Sequence, residues 1–134
     1  MSAEATTRIS LRWRDMDMLG HLNQSVYHEL LEEGRGALFA SLGDVAWFPF
    51  VLVRVELDYR AEVRHDHEHV EVVVRVERVG TKSVTLAHDI VLPDAATVPS
   101  GSTMSWASVT LLVPMFSTRT TTSTCSWSWR TSAR

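Results

Sequence analysis

Long apolar runs are missing from this chain, and so is nearly all cysteine. No stretch approaches the length of a bilayer-spanning helix, which excludes that class of membrane protein. Cys125 is the sole cysteine, so no internal disulfide can form and a reducing compartment, the cytoplasm, is expected. There is no basic excess either. The net charge of −3 removes the electrostatic footprint of a nucleic-acid binder. Met1-Ser2-Ala3-Glu4-Ala5 has neither a basic start nor an apolar core, so it does not read as a secretory signal. Acidic residues are absent after Asp94: all 16 lie at or before it, beside 10 of the 13 cationic residues, so residues 1–94 carry −6 and the remainder +3. That remainder is dominated by Ser, Thr and Trp, as in Thr120-Thr121-Thr122-Ser123, a break in composition that suggests a different origin or a disordered end.

What is present fits one domain of 134 residues. Thr7 to Arg14 alternates, with Ile9, Leu11 and Trp13 on one face, and predicts a half-buried strand. From Gln24 the period becomes helical, with Tyr27, Leu30, Leu31, Gly34 and Leu38 on one stripe and Glu29, Glu32, Glu33 and Arg35 mostly off it. Asn23 is a good N-cap and Gly43 a plausible stop. Gly34 and Gly36 each cost about 1 kcal/mol against alanine, so either they are tolerated or the helix passes very close to a flat surface. After a short loop at Asp44 to Trp47, strands are predicted over Phe50–Tyr59, His69–Val79 and Ser83–Leu92, with Gly80-Thr81 as a turn. One long helix needs an apolar surface and a meander of antiparallel strands supplies it, an α+β arrangement.

The densest stretch lies between the first strand and the helix: Asp15-x-Asp17-x-x-Gly20-His21-x-Asn23-x-x-x-Tyr27, followed on the helix by Glu32-Glu33-Gly34-Arg35. With Val55-Glu56-Leu57-Asp58-Tyr59 further on, it resembles the 4-hydroxybenzoyl-CoA thioesterase family of hotdog-fold proteins, over roughly Arg8 to Asp94. The resemblance implies a curved antiparallel sheet wrapped around one long helix. It implies hydrolysis of acyl-CoA thioesters without metal or organic cofactor, in a homodimer or tetramer holding acyl-CoA (or an acyl carrier protein) at the subunit interface. It makes Asp17 the catalytic carboxylate, as general base or nucleophile. A thioester needs an attacking oxygen and a stabilised oxyanion. Free amides around Asn23 and Gln24, at a helix start, point donors at such a charge. Gln24 stands where the family often has asparagine, and Met16 and Met18 are bulkier than in many relatives.

Plainer readings stand beside these. Asp17 is also a common turn former. Asp15, Gly20 and His21 read as residues that shape the turn, with His21 a general base only secondarily. Asn23 is a cap first and a substrate contact second; Tyr27 lines the pocket or sits in the core. Glu32 and Glu33 are weaker bets for a helix-borne carboxylate. His65-Asp66-His67-Glu68-His69 would put three imidazoles on one face of an extended segment, as zinc or nickel would require, but a solvated hairpin is the preferred reading. Trp13 and Trp47 read as core or interface aromatics.

Residues 1–94 thus form the expected hotdog domain, and residues 95–134 a tail outside the family pattern in which the fifth strand is missing or replaced. Ser105 to Val113 imitates a strand. With GC-rich codons, Arg130-Thr131-Ser132-Ala133-Arg134 read on the opposite strand and shifted by one base gives the Ala61–Arg64 run. Ser126 to Trp129 gives the His-Asp-His-Glu run, Thr120 to Thr122 the Val-Val-Val-Arg run, and Ser102 to Trp106 the His-Asp-Ile-Val run. Agreement breaks near Arg78-Val79, Lys82-Ser83, Leu86 and Leu92. The tail is therefore expected to be antisense-derived, from this gene or a close relative. Two other function classes stay open: a catalytically silent acyl-binding hotdog module or truncated, inactive product, and a dehydratase acting on hydroxyacyl thioesters.

Overall fold

The computed structural model describes residues 3–43, 50–92 and 103–112. Strand β1 (Glu4–Ser10) leads through a single 3-10 turn (Trp13–Asp15) to helix α1 (Gln24–Ser41). Strands β2 (Val51–Tyr59), β3 (His69–Val79), β4 (Ser83–Val91) and β5 (Thr103–Leu112) follow. All pair antiparallel in one curved sheet of order β1-β3-β4-β5-β2. This is the hotdog architecture expected. The place between β4 and β2 is filled by Thr103–Leu112. Trp47 and the loop around it, Cys125 and the rest of the tail lie outside the described residues.

Helix α1 forms where the period called for it. Asn23 caps it by accepting from the Ser25 amide at 3.0 Å, and Gly43 takes φ +95° just past the end, a backbone angle glycine adopts freely. Tyr27, Leu30, Leu31, Gly34 and Leu38 are all buried, as their stripe predicts. Fully burying leucines such as Leu31 and Leu38 contributes roughly 1.5–3 kcal/mol each. They meet Val70, Val72 and Val74 of β3, Leu86 and Ile90 of β4, and Val109 and Leu111 of β5. The two helical glycines part company. A Cβ on Gly34 would come within 2.7 Å of Val72 Cγ1 and 2.8 Å of Val74 Cγ2, so here the helix does press on the sheet. Gly36 faces open space, and its glycine is simply tolerated.

Two expectations are corrected, and for the histidine run the less favoured extended-face reading falls away. The first strand ends at Ser10, short of the predicted Arg14. The Asp15 carboxylate accepts from the Arg12 amide at 2.8 Å and from Arg12 Nε at 3.1 Å, folding this stretch into a turn, and Trp13 stands 93% exposed rather than in the core. Arg35, placed mostly off the apolar stripe by sequence, is buried with it. The histidine run is not an extended face: His67 Nδ1 accepts from the Arg64 amide at 2.9 Å, while His69 opens β3 and meets Arg8 Nη2 at 3.0 Å. No group of three metal-ligating side chains comes together among the described residues.

Candidate active site

The turn from Asp15 to Asn23 is tied at both ends before the helix begins. Asp15 is buried, and its carbonyl accepts from the Asn23 amide at 2.8 Å. Burial alone would raise its carboxyl. The hydrogen bonds and charge of Arg12, with the charge of Arg14 behind them, outweigh that and hold it below the ordinary carboxylate range. Asp15 is therefore a structural anchor. Gly20 adopts φ +77°, where side chains are strained, and its carbonyl accepts from the His65 amide at 3.0 Å. The 61–65 segment is thereby fastened under the turn, a link reinforced by the Leu22 amide on the Val63 carbonyl at 2.7 Å.

Asp17 sits at the centre. Its Oδ1 accepts from the amides of Leu19 at 2.8 Å and His21 at 3.1 Å, and its own amide donates to the His21 carbonyl at 2.7 Å. Oδ2 has no partner among the described residues. One oxygen is thus fixed by the backbone and the other is not. Among the described residues, Asp17 alone lines both of two neighbouring cavities. The first, about 620 Å³, is bounded by Gln24, Tyr27, Tyr59 and Glu62 among others. The second, about 740 Å³, is bounded by Arg12, Trp13, Arg14, Met18, His65 and His67 among others.

The other predicted site residues divide. Tyr27 is both core and cavity wall: buried, it meets Tyr59 edge to face at 4.9 Å. Burial first, and Tyr59 second, raise its phenol above the ordinary value. Of the two helix-start amides, that of Asn23 is spent on Asp15, while that of Gln24 has no partner among the described residues. His21 lies half-exposed in the first cavity, with Nε2 2.9 Å from Glu62 Oε2. Glu32 and Glu33 are exposed on α1 and line neither cavity. Sequence reading missed Tyr59 and Glu62 as site residues. They arrive through the β2–β3 connection, and the only linear signal was that β2 ends at Tyr59.

The fold and this turn define a class, and comparison with known proteins agrees with it. The model of the thioesterase-like superfamily matches residues 11–119, and the chain belongs to that superfamily. It is similar to a provisionally named acyl-CoA thioesterase from Xanthomonas campestris, at 31% identity over 81% of this chain and 91% of that one, with a TM-score of 0.69. A provisionally named thioesterase from Pseudomonas aeruginosa is 31% identical over 84% of each chain, with a TM-score of 0.65. A Thermus thermophilus thioesterase, solved with coenzyme A and zinc, is 26% identical over 83% of this chain and 79% of that one, with a TM-score of 0.70. No curated protein matches the sequence. Thioester hydrolysis is thus the general chemistry that the family supports. Among the described residues no helix is long and apolar enough to cross a membrane.

Proposed function

We propose that this chain hydrolyses acyl-CoA thioesters to free acid and CoA in the manner of the 4-hydroxybenzoyl-CoA thioesterases, with Asp17 as the catalytic carboxylate. The observation that carries the reading is the position of Asp17 on the wall common to both cavities, with one oxygen held by two amides and the other free. A thioester laid across that wall presents its carbonyl to Oδ2. Two routes use the same geometry. Oδ2 attacks the carbonyl carbon, CoA leaves as thiolate, and water hydrolyses the resulting anhydride. Alternatively, Oδ2 takes a proton from water as that water attacks, and the proton passes to the departing thiolate. In both, acyl-S-CoA plus water becomes acid plus thiol. The Gln24 amide, at the positive end of α1, is the donor for the oxyanion. The basic lining of Arg12, Arg14, His65 and His67 suits the phosphates of the CoA end, and the Tyr27–Tyr59 side suits the acyl group. A homodimer or tetramer completes the proposal. Its support is the edge strand β2, where Val51, Leu52 and Val53 stand 59%, 49% and 60% exposed.

Release of free thiol from a panel of acyl-CoAs tests the reading. Asp17→Asn keeps an Oδ1 able to accept from Leu19 and His21, so the turn survives while the charge is lost. The expected fall in kcat is about 10²–10⁴-fold, the usual worth of a positioned general base. An unimpaired Asp17→Asn refutes the role. Acyl-CoA binding without thiol release by the unaltered chain identifies a silent module.

A further inference from the structure

Residues 100–134 contain no Asp, Glu, Lys, His, Asn, Gln or Tyr. These seven are the amino acids whose codons carry a central adenine, so what is missing is a base rather than a kind of side chain. We propose that the gene segment encoding residues 100–134 is an inverted copy of the segment encoding residues 60–94, read from the complementary strand one base out of frame. The first two bases of codon i then complement, in reverse order, the first two bases of codon 194 − i, and the third base complements that of codon 193 − i. A central adenine in the tail requires a source codon that begins with thymine. Residues 60–94 contain no Phe, Tyr, Trp or Cys, and Ser, Leu and Arg all have codons that begin otherwise.

The rule accounts for the tail residue by residue. All seven carboxylates of 60–94 (GA-) correspond to serine (TC-), and eight of its nine valines (GT-) to threonine (AC-). The four histidines (CA-) give TG-, which is Trp or Cys according to the third base. His67 follows Asp66, whose codons end in a pyrimidine, and gives Trp127. His69 follows Glu68, whose codons end in a purine, and gives Cys125, the only cysteine of the chain. Lys82, Ser83, Leu86 and Leu92 also agree, as Leu112, Leu111, Ser108 and Ser102, once Ser83 is AGY, Leu86 and Leu92 are CTN and Leu112 is TTR. In all, 33 of 35 positions fit; Met115 and Phe116, opposite Val79 and Arg78, do not.

The sheet shows why such a segment serves as a strand. Thr103–Leu112 corresponds to codons 82–91, which encode β4, and β5 lies antiparallel beside β4. Adenine-first codons at Ser83 and Thr85 become thymine-centred, apolar residues at Leu111 and Val109. Pairing each residue with its own codon complement would set Leu111 and Val109 against Ser83 and Thr85. The observed register is one residue off, pairing Leu111 with Val84 and Val109 with Leu86, so the apolar side chains share the buried face. The cavity-lining residues all precede Asp94, so the site lies wholly outside the copy.

The test is the genomic base sequence across codons 60–134. Third bases are largely free of the protein sequence and therefore decide. The expected result is complementarity between the third bases of codons i and 193 − i along nearly the whole of 100–134. Complementarity no more frequent than the base composition of the gene produces would overturn the proposal.

Discussion

Lowering the pH from 6.5 toward 4 sets a protonated unfolded chain against a core between α1 and β4 that refuses the proton. His88 is fully buried; among the described residues neither ring nitrogen makes a well-formed hydrogen bond, and the backbone of Leu86 and Leu31 near the ring favours its charged form only in part. Burial first, then the charge of Arg35 reaching in from α1, push its imidazole down from 6.5 to about 4. Arg35 is itself buried, its Nε without a partner among the described residues, and burial lowers its guanidinium although Glu32 pulls the other way. Above pH 6.5 His88 is neutral whether folded or not. Between 6.5 and about 4 the unfolded chain binds a proton that the folded chain refuses, so stability falls as pH falls. Below about 4 both forms are charged and the loss is complete. A gap of about 2.5 pH units is worth about 3 kcal/mol, a large share of the stability of a small domain. Asp15 adds little within the window: its carboxyl is held below the ordinary 3.8, so its contribution starts to be lost only as pH falls through that unfolded-state value, at the foot of the range. Urea unfolding followed by circular dichroism across this range, on the unaltered chain and on His88→Leu, measures the effect. The unaltered chain loses about 3 kcal/mol that His88→Leu keeps. Parallel curves for the two proteins refute the reasoning.

Other outcomes follow from the same contacts. Gly34→Ala drives a methyl into Val72 and Val74 and costs about 1–3 kcal/mol in a thermal melt, whereas Gly36→Ala, in open space, gains about 0.5–1 kcal/mol. Asp15→Ala removes the anchor of Arg12 and costs about 1–3 kcal/mol, measured by denaturant midpoint. Arg14→Gln raises KM for acyl-CoA but leaves KM for the matching acyl-pantetheine unchanged, since only the former carries the nucleotide phosphates; an equal rise in both places the CoA end elsewhere.

The fold was legible wherever one period governed a whole element. His69–Val79 is β3 to the residue, and the stripe from Tyr27 to Leu38 is the buried face of α1. Legibility failed where a local polar contact overrode the period. Arg12-Trp13-Arg14 continues the alternation of β1, yet the Asp15 carboxylate bends that stretch into a turn. It failed again where partners are distant in sequence. Nothing in one dimension joins His21 to Glu62, Tyr27 to Tyr59 or Arg35 to His88; the sheet does. The hydrogen bonds that hold Asp17 are local, every tie on Oδ1 coming from within four residues, whereas the far walls of the cavities it lines come from residues 59–67.

The ladder between β4 and β5 has a counterpart in the message. If the two strands are specified by complementary bases, the RNA encoding them folds on itself along the same stretch, codons 60–94 against 100–134, closed by codons 95–99. A ribosome that has finished β1, α1 and β2 must open that stem to make β3 and β4. Until it does, β1 and β2 lack their neighbours in the sheet, the condition in which strands find the wrong partner. The same complementarity that supplies the fifth strand thus also delays the two before it.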